Sequence, residues 1–512
     1  MTKMSSVEEP TAFAYTTLAI AAVPLALIAV SRMVSPKSDP REPPPLWPTV
    51  PLVGHIISLL RESASFYSRL FKENALPICT LPMLNGKIYV INSPGLISAA
   101  MKNPDVSFEP FFLELSGGAI GLRKSDLNML LSDGNLDKFM DLVHTGFKGP
   151  SLAKLNVAAL SKLGETLNAV QPGEELVIPD IWIWLRDVLG EGITYSLFGE
   201  HNPFTKEVYA DVWEYEEGIA LLAQGLHFAA PKSLAARKRV NKALEEYYAA
   251  HYDEHESVSD IMRKRAALSR QVGTSSEDLG ILEFIIPWVG STNTVPTFMW
   301  YFLNVFSRPE LVKRIRAEVE AFAVIESAEG GGRVVTLNAS TIEKGCPLVA
   351  GAYRETLRVY VHNLGMRRVL RETTLRDPDN GREYLLRKGV DVQWQSGVTH
   401  QLPSVWGESW DEFEPERFVD VPTSDEKKRR GANIPFGGGK HLCPGRNFAL
   451  AENLGFLAAI ALGFEVEGAR VPASKDPLMG VATRRPVWGD VEKRLKLQRR
   501  AGWEDVTWKF VA

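Results

Sequence analysis

Pro435-Phe436-Gly437-Gly438-Gly439-Lys440-His441-Leu442-Cys443-Pro444-Gly445 is the stretch on which the reading of this chain turns. A glycine-rich loop delivers one cysteine to the start of a long apolar helical pattern, Arg446 to Leu462. At a helix N-terminus, unpaired backbone N–H groups and the positive end of the macrodipole favour a thiolate over a thiol. A single thiolate held rigidly in an apolar setting is the axial ligand of a haem iron that cleaves O–O bonds. Glycines, lacking Cβ atoms, let the backbone lie close to a flat porphyrin face. Taken alone, a cysteine beside glycines is more often a small buried hydrophobe, so the rest of the chain must decide.

The chain has 512 residues, a formal net charge of −4 and three cysteines, Cys79, Cys346 and Cys443. That charge gives no footprint for a nucleic-acid partner. Three scattered cysteines make neither a disulfide framework nor a zinc site, which places the body in a reducing compartment. From Pro10 to Ser31 there is no charged residue, and Leu18 to Val30 is almost continuously apolar. Roughly 20 such residues cross a bilayer. A cleaved signal peptide is the competing reading, but Glu8 and Glu9 make the start acidic and no small-residue cleavage site follows. Arg32, Lys37 and Arg41 come after the span and put the body on the cytosolic side. Residues 1–34 are therefore expected to form a single-pass anchor. Residues 35–54, rich in proline from Pro36 to Pro51, are expected to form a semi-rigid hinge, and 55–512 one catalytic domain.

The pattern along that domain is mostly helical with local hairpins. Pro77 to Met83 and Lys87 to Ile91 flank Asn85-Gly86, a hairpin turn, and Ser93-Pro94 starts a helix. Residues from about 233 to 269 read as one long charged amphipathic helix. Ser307 reads as the cap of a helix with Pro309 and Glu310 in its first turn. A second hairpin turns at Asp377 to Gly381, between Val369 to Arg376 and Arg382 to Arg387. Val106 to Leu122 reads as an apolar, glycine-bearing loop over a substrate, and the hairpin around Met479-Gly480-Val481 as another wall; both read equally as ordinary core.

Glu355-Thr356-Leu357-Arg358 puts opposite charges at i and i+3 on one helical face, where they can pair. Alone, that is a solvated ion pair. Ala352, Leu357 and Val359 around it suggest burial instead. Further on, Phe413-Glu414-Pro415-Glu416-Arg417-Phe418 offers a second arginine, after His400, Pro403, Trp406 and Gly407.

The spacing Phe436-x-x-Gly439-x-x-x-Cys443-x-Gly445 resembles the haem-binding signature of the cytochrome P450 family, with His441 in its basic slot. Glu355 to Arg358 and the Pro415 to Phe418 segment are similar to that family's ExxR helix and PERF segment, in the same order before the loop. The resemblance implies a mainly α fold with a minor β-rich part, the cytochrome P450 fold, preceded by one transmembrane helix. It implies haem b as cofactor, with Cys443 on the iron and Phe436, Gly437 and Gly445 in the loop beneath it. Glu355, Arg358 and Arg417 would form a buried network. His441 and Arg367 would meet the haem propionates, with neighbouring Arg368 the alternative to Arg367. No Trp-x-x-x-Arg pair occurs between Asn128 and Lys148, so the other propionate contact is unassigned. Partners implied are NADPH–cytochrome P450 reductase, cytochrome b5 and a lipophilic small molecule, at the endoplasmic reticulum membrane. Lys440 and Arg446 belong to the basic face that would dock the reductase.

Phe284 to Pro296 occupies the place of the helix that crosses the distal haem face in that family. The common pattern there carries an acid followed by a threonine, which relay protons. Here Thr292 stands where the acid would be and Asn293 where the threonine would be. An amide holds a water but does not titrate near neutral pH. Pro296 removes a helix hydrogen bond and should widen or kink the helix. Asn293 could equally satisfy a carbonyl that Pro296 leaves open. The sequence Asn293-Thr294-Val295-Pro296 resembles the branch containing sterol 7α- and 12α-hydroxylases and prostacyclin synthase, which holds monooxygenases and an isomerase. Three readings stand: a monooxygenase acting on a terpenoid- or sterol-like molecule of secondary metabolism, a reductase-independent isomerase or dehydratase, and a non-catalytic haem protein. Dependence on NADPH and reductase separates the first from the second.

Overall fold

The computed structural model describes residues 39–48, 55–83, 86–329, 331–478 and 481–512. The apolar segment Leu18 to Val30, the early prolines of the hinge and the turn at Met479-Gly480 lie outside them. Among the described residues no helix is long and apolar enough to cross a membrane. The chain falls into two compact units: one runs to Ser107 and adds Met366–Trp394, and the other holds Phe108–Gly365 and Gln395–Ala512.

The first unit is built on a sheet. Ile78–Met83 and Gly86–Ile91 pair antiparallel with Met83 opposite Gly86, as the Asn85-Gly86 signal predicts, although Asn85 itself is not described. Asp391–Gln395 runs parallel to Gly86–Ile91, and Leu364–Val369 and Val106–Ser107 complete the sheet. Ile78, Cys79, Thr80 and Leu81 are all buried, so this strand is covered on both faces. Residues 39–48 belong to this unit's fabric. Thr80 N–H donates to Pro44 O at 2.8 Å and Leu46 N–H to Thr80 O at 2.8 Å. Glu42 is 4% exposed and accepts from Lys87 and Tyr89. The second hairpin forms as expected, Thr373–Arg376 with Glu383–Leu386, and Gly381 turns it with a φ of 74°.

The second unit is helical. Its centre is the long helix Ile285–Phe306, buried continuously from Thr294 onward. Gly149–Asn168, Ile181–Phe198 and the proximal helix Arg446–Gly463 share its core, with Phe298 and Phe456 ring centroids 5.3 Å apart. A Cβ on Gly455 would lie 2.8 Å from Leu160, so the proximal helix and Gly149–Asn168 approach where only glycine fits.

Three expectations are corrected here. The helix expected from about 233 to 269 is two helices, Pro231–Ala249 and Asp260–Gln271. His251 turns left-handed with φ 56°, a short 3₁₀ turn follows, and Ser259 caps the second helix. No glycine or proline marks that break, and the charge pattern runs straight through it. Val106 to Leu122 is not an open loop but a two-residue strand and the helix Glu109–Ala119. Ser307 does not cap the Pro309–Phe322 helix. Arg308 holds that position, and Ser307 ends the long helix with its hydroxyl toward Asn304 O at 3.4 Å.

Candidate active site

Pro347 opens the helix Pro347–Tyr360, and alanine and glycine on its inner side let it press close to its neighbours. A Cβ at Gly351 would come 2.7 Å from Pro415 O, which brings the Pro415–Phe418 turn against this helix. Glu355 and Arg358 are both fully buried and meet in a two-pronged pair, Nε to Oε2 and Nη2 to Oε1, each at 2.7 Å. Arg358 Nη1 also donates to the carbonyls of His400 at 2.9 Å and Trp410 at 2.7 Å, and Nη2 to that of Glu412 at 3.1 Å. Arg417 Nε reaches Glu355 Oε1 at 3.2 Å, its Nη2 reaches Ser409 Oγ at 2.8 Å, and its other hydrogen bonds go to the carbonyls of Trp406 and Ser409. The Glu414 amide adds a further donor to Glu355 Oε1 at 3.0 Å. The sequence-predicted trio is thus one buried network.

The approach to the cysteine loop is fastened by groups that the sequence reading did not single out. His400 Nε2 accepts the Ile434 N–H at 3.0 Å, Thr399 Oγ1 donates to Ala432 O at 2.8 Å, and Asn363 Nδ2 donates to Pro435 O at 3.1 Å. His400 therefore joins the arginine network to the loop, since its carbonyl serves Arg358 and its ring serves Ile434. Within the loop, Gly437 and Gly439 take φ of 69° and 65°, which side chains resist. Cys443 N–H closes the loop onto Phe436 O at 3.1 Å. Gly445 precedes the first turn of the proximal helix.

Cys443 is half-buried, whereas Cys79 and Cys346 are fully buried with thiols pushed up to about 12 by burial. The helix start does act on Cys443 as expected: the Gly445 and Arg446 amides and the Arg446 charge all favour the thiolate. Burial outweighs them and the thiol still lies above its ordinary value. The expected net lowering is corrected to that extent. A metal supplies what the helix end does not, because a coordinated thiol is deprotonated outright.

These residues fit a haem. They offer one soft sulfur at the surface of a glycine loop, and a Cβ on Gly445 would sit 4.0 Å from it. Among the described residues no cluster of three or more His, Cys, Asp or Glu could hold a metal by itself. A single thiolate therefore calls for a macrocycle to complete the coordination. His441 lies in the short turn Gly439–His441 with its ring edge-on to Phe108, centroids 5.7 Å apart. Lys440 is exposed and paired with Glu109 at 2.8 Å.

On the long helix, Val289, Gly290 and Asn293 form an accessible strip in a largely buried element, with Val289 41% exposed. Asn293 Nδ2 donates to Val289 O at 2.7 Å, and Thr297 Oγ1 donates to Asn293 O at 2.8 Å. Pro296 opens the carbonyl of Thr292, so Asn293 does not repair that gap. The helix runs unbroken past Pro296. Thr292 is buried with its hydroxyl turned back to Trp288 O at 3.0 Å, so only Asn293 of the two shows its side chain to open space.

Arg367 and Arg368 lie in the other unit and part ways there. Arg368 pairs with Asp391 at 2.7 Å. Arg367 is 7% exposed, lies 5.2 Å over the Trp394 ring, and burial lowers it to about 10.

The profile of the cytochrome P450 family matches residues 226–487. A cytochrome P450 monooxygenase of Gibberella zeae is 34% identical over 500 residues, 95% of this chain and 94% of that protein. This chain belongs to the cytochrome P450 family. It is accordingly a haem-thiolate oxidoreductase. The P450 fold is seen again in the retinoic-acid-bound cyanobacterial CYP120A1, at TM-score 0.67 and 18% identity, covering 90% of this chain and 100% of that one. Cyclooctat-9-en-7-ol 5-monooxygenase of Streptomyces melanosporofaciens is similar at 24% identity over 455 residues, 84% of this chain and 92% of that protein.

Proposed function

We propose that this P450 inserts one oxygen atom of dioxygen into a C–H bond of a lipophilic, terpenoid- or sterol-like molecule in secondary metabolism. The other oxygen atom takes up two protons and leaves as water, with two electrons from NADPH delivered by a separate cytochrome P450 reductase and cytochrome b5 as a second donor. The observation that carries the proposal is the half-buried Cys443 sulfur, set at the head of an apolar helix by a loop fastened to the Glu355–Arg358–Arg417 network. Haem, when bound, supplies the electron-transfer and dioxygen chemistry.

In this reading Cys443 would hold the haem iron through its sulfur, and Phe436, Gly437 and Gly445 would shape the loop against the macrocycle. His441 meets a propionate, and Arg367 keeps that role from the family likeness. Asn293, exposed on the long helix, holds a water by its amide and steers a proton without itself titrating. Thr292 acts behind it, since its hydroxyl is committed to Trp288 O. The relative named for cyclooctat-9-en-7-ol supports a cyclic, lipophilic alcohol as substrate class. The apolar segment within residues 1–34 supports an anchor in the endoplasmic reticulum membrane with the body in the cytosol.

The test is reconstitution of purified full-length protein with reductase in lipid. The reduced carbon monoxide complex should show the band of thiolate ligation, and Cys443→Ser should abolish it. Product formation from terpenoid or sterol probes should require both NADPH and reductase. Turnover without either would overturn the oxygenase reading.

A further inference from the structure

We infer that Glu216 is the polar anchor of the substrate site and accepts a hydrogen bond from a hydroxyl group on an otherwise lipophilic substrate. The inference rests on the proposed monooxygenase reading and deepens it.

Glu216 lies in the last turn of the helix Lys206–Glu217 and is half-buried. Charged side chains rarely turn inward unless a cation meets them, yet among the described residues Glu216 has no ion pair. Its named partner is the indole of Trp288, whose Nε1 donates to Oε2 at 2.5 Å. The surroundings are aromatic: Tyr215 lies 5.3 Å from both Phe284 and Trp288 between ring centroids. Burial pushes the carboxyl up to about 7 even against the indole hydrogen bond.

The position matters as much as the chemistry. Trp288 immediately precedes the accessible strip Val289, Gly290 and Asn293 on the long helix. At about 1.5 Å and about 100° per residue it stands about 7.5 Å along the axis and about 140° around it from Asn293, so it borders the strip at Val289 without sharing the face of Asn293. Tyr215, next to Glu216, ties this corner to the helix Glu109–Ala119 through a hydroxyl bond to Ala119 O at 3.0 Å. Three elements thus meet around one carboxyl on the flank of the long helix. A group built to accept a hydrogen bond there disfavours a ligand that cannot donate, because the acceptor is left desolvated and unpaired. The competing role, a brace that only ties two helices through Trp288, makes no distinction between ligands.

The experiment uses the full-length holoenzyme and follows the shift of the haem absorption band during titration with farnesol and with farnesyl methyl ether. The pair differs in its ability to donate a hydrogen bond. Wild-type protein should bind the alcohol at least about tenfold more tightly than the ether, the range open to one well-placed hydrogen bond. Glu216→Leu should bring the ratio to within about twofold, Glu216→Gln, which keeps an acceptor, should preserve most of it, and Trp288→Phe should leave it in place. A wild-type ratio near one, no response to either probe, or a Glu216→Leu ratio equal to wild type overturns the anchor. Trp288→Phe matching Glu216→Leu assigns the pair to bracing and overturns it too. Absence of the thiolate–carbon monoxide band in wild-type protein would instead strike the proposed function. Where Glu216→Leu does not fold, Glu216→Ala, which also removes the acceptor, takes its place with the same expected ratio, and a ratio equal to wild type overturns the anchor.

Discussion

All five N–H groups of Arg358 are committed: two to Glu355 and three to the carbonyls of His400, Trp410 and Glu412. Lysine offers three donors from one point and cannot reproduce that fork. Arg358→Lys should therefore damage the protein nearly as much as Arg358→Ala. Glu355→Ala strands two buried guanidinium groups, at a cost of about 3–5 kcal/mol. The expected outcome for each variant is protein that is unfolded or has lost most of its haem, read as haem absorbance per polypeptide. Normal haem content in Glu355→Ala would remove the network from its assigned role. At this scale the sequence was most readable where partners are neighbours. Glu355 and Arg358 stand one helical turn apart, so their pairing follows from spacing alone. His400 could not be read in that way: the N–H its ring accepts belongs to a residue 34 positions away, and only the folded chain brings them together.

The proximal helix Arg446–Gly463 joins two demands in one element. Its first turn presents amides to Cys443, while its middle is sealed in the core and carries Glu452 with neither carboxyl oxygen partnered among the described residues. Burial holds that carboxyl well above its ordinary value, so the folded state keeps the proton that the unfolded chain releases. The sign follows. Stability linked to Glu452 is fully present below the unfolded value of about 4.3 and falls as pH rises toward the folded value. Glu452→Gln removes this loss while keeping the shape of the neutral acid. The variant should match wild type near pH 4 and gain on it by up to about 1.4 kcal/mol per pH unit above that, measured as urea midpoints of the holoprotein. A gap that does not change with pH would show that Glu452 is not carried as the neutral acid. The helix itself was legible because its apolar run is long and its start is marked by Pro444-Gly445. The break between Pro231–Ala249 and Asp260–Gln271 was not, because histidine's mild preference for the left-handed region is too weak to stand out from a charge pattern that continues through it.

For the molecule as a whole, two units divide the work that the motifs suggested. The helical unit holds the thiol loop, the arginine network and the accessible strip of the long helix, and the sheet-bearing unit holds Arg367 and residues 39–48. The order of the motifs along the chain made the family readable, since each motif is local. The division into units was hidden, because Met366–Trp394 returns to a sheet begun far earlier in the chain. Residues 39–48 show the same limit: prolines predict an extended segment, but not that Glu42 is buried beneath Lys87 and Tyr89. That burial sets the boundary for a truncation. Removing residues 1–34 deletes the apolar stretch while leaving Glu42 and its partners in place, and should give a protein that binds haem normally. Removing 1–48 also takes Glu42, leaving Lys87 without its buried partner at a cost of about 3 kcal/mol or more. Expressed in a eukaryotic host, the full chain should remain with membranes through an alkaline carbonate wash, and the chain lacking 1–34 should be released. Release of the full chain by the same wash would exclude a spanning anchor, and equal haem content in both truncations would show that the buried Glu42 contributes nothing to holding the first unit together.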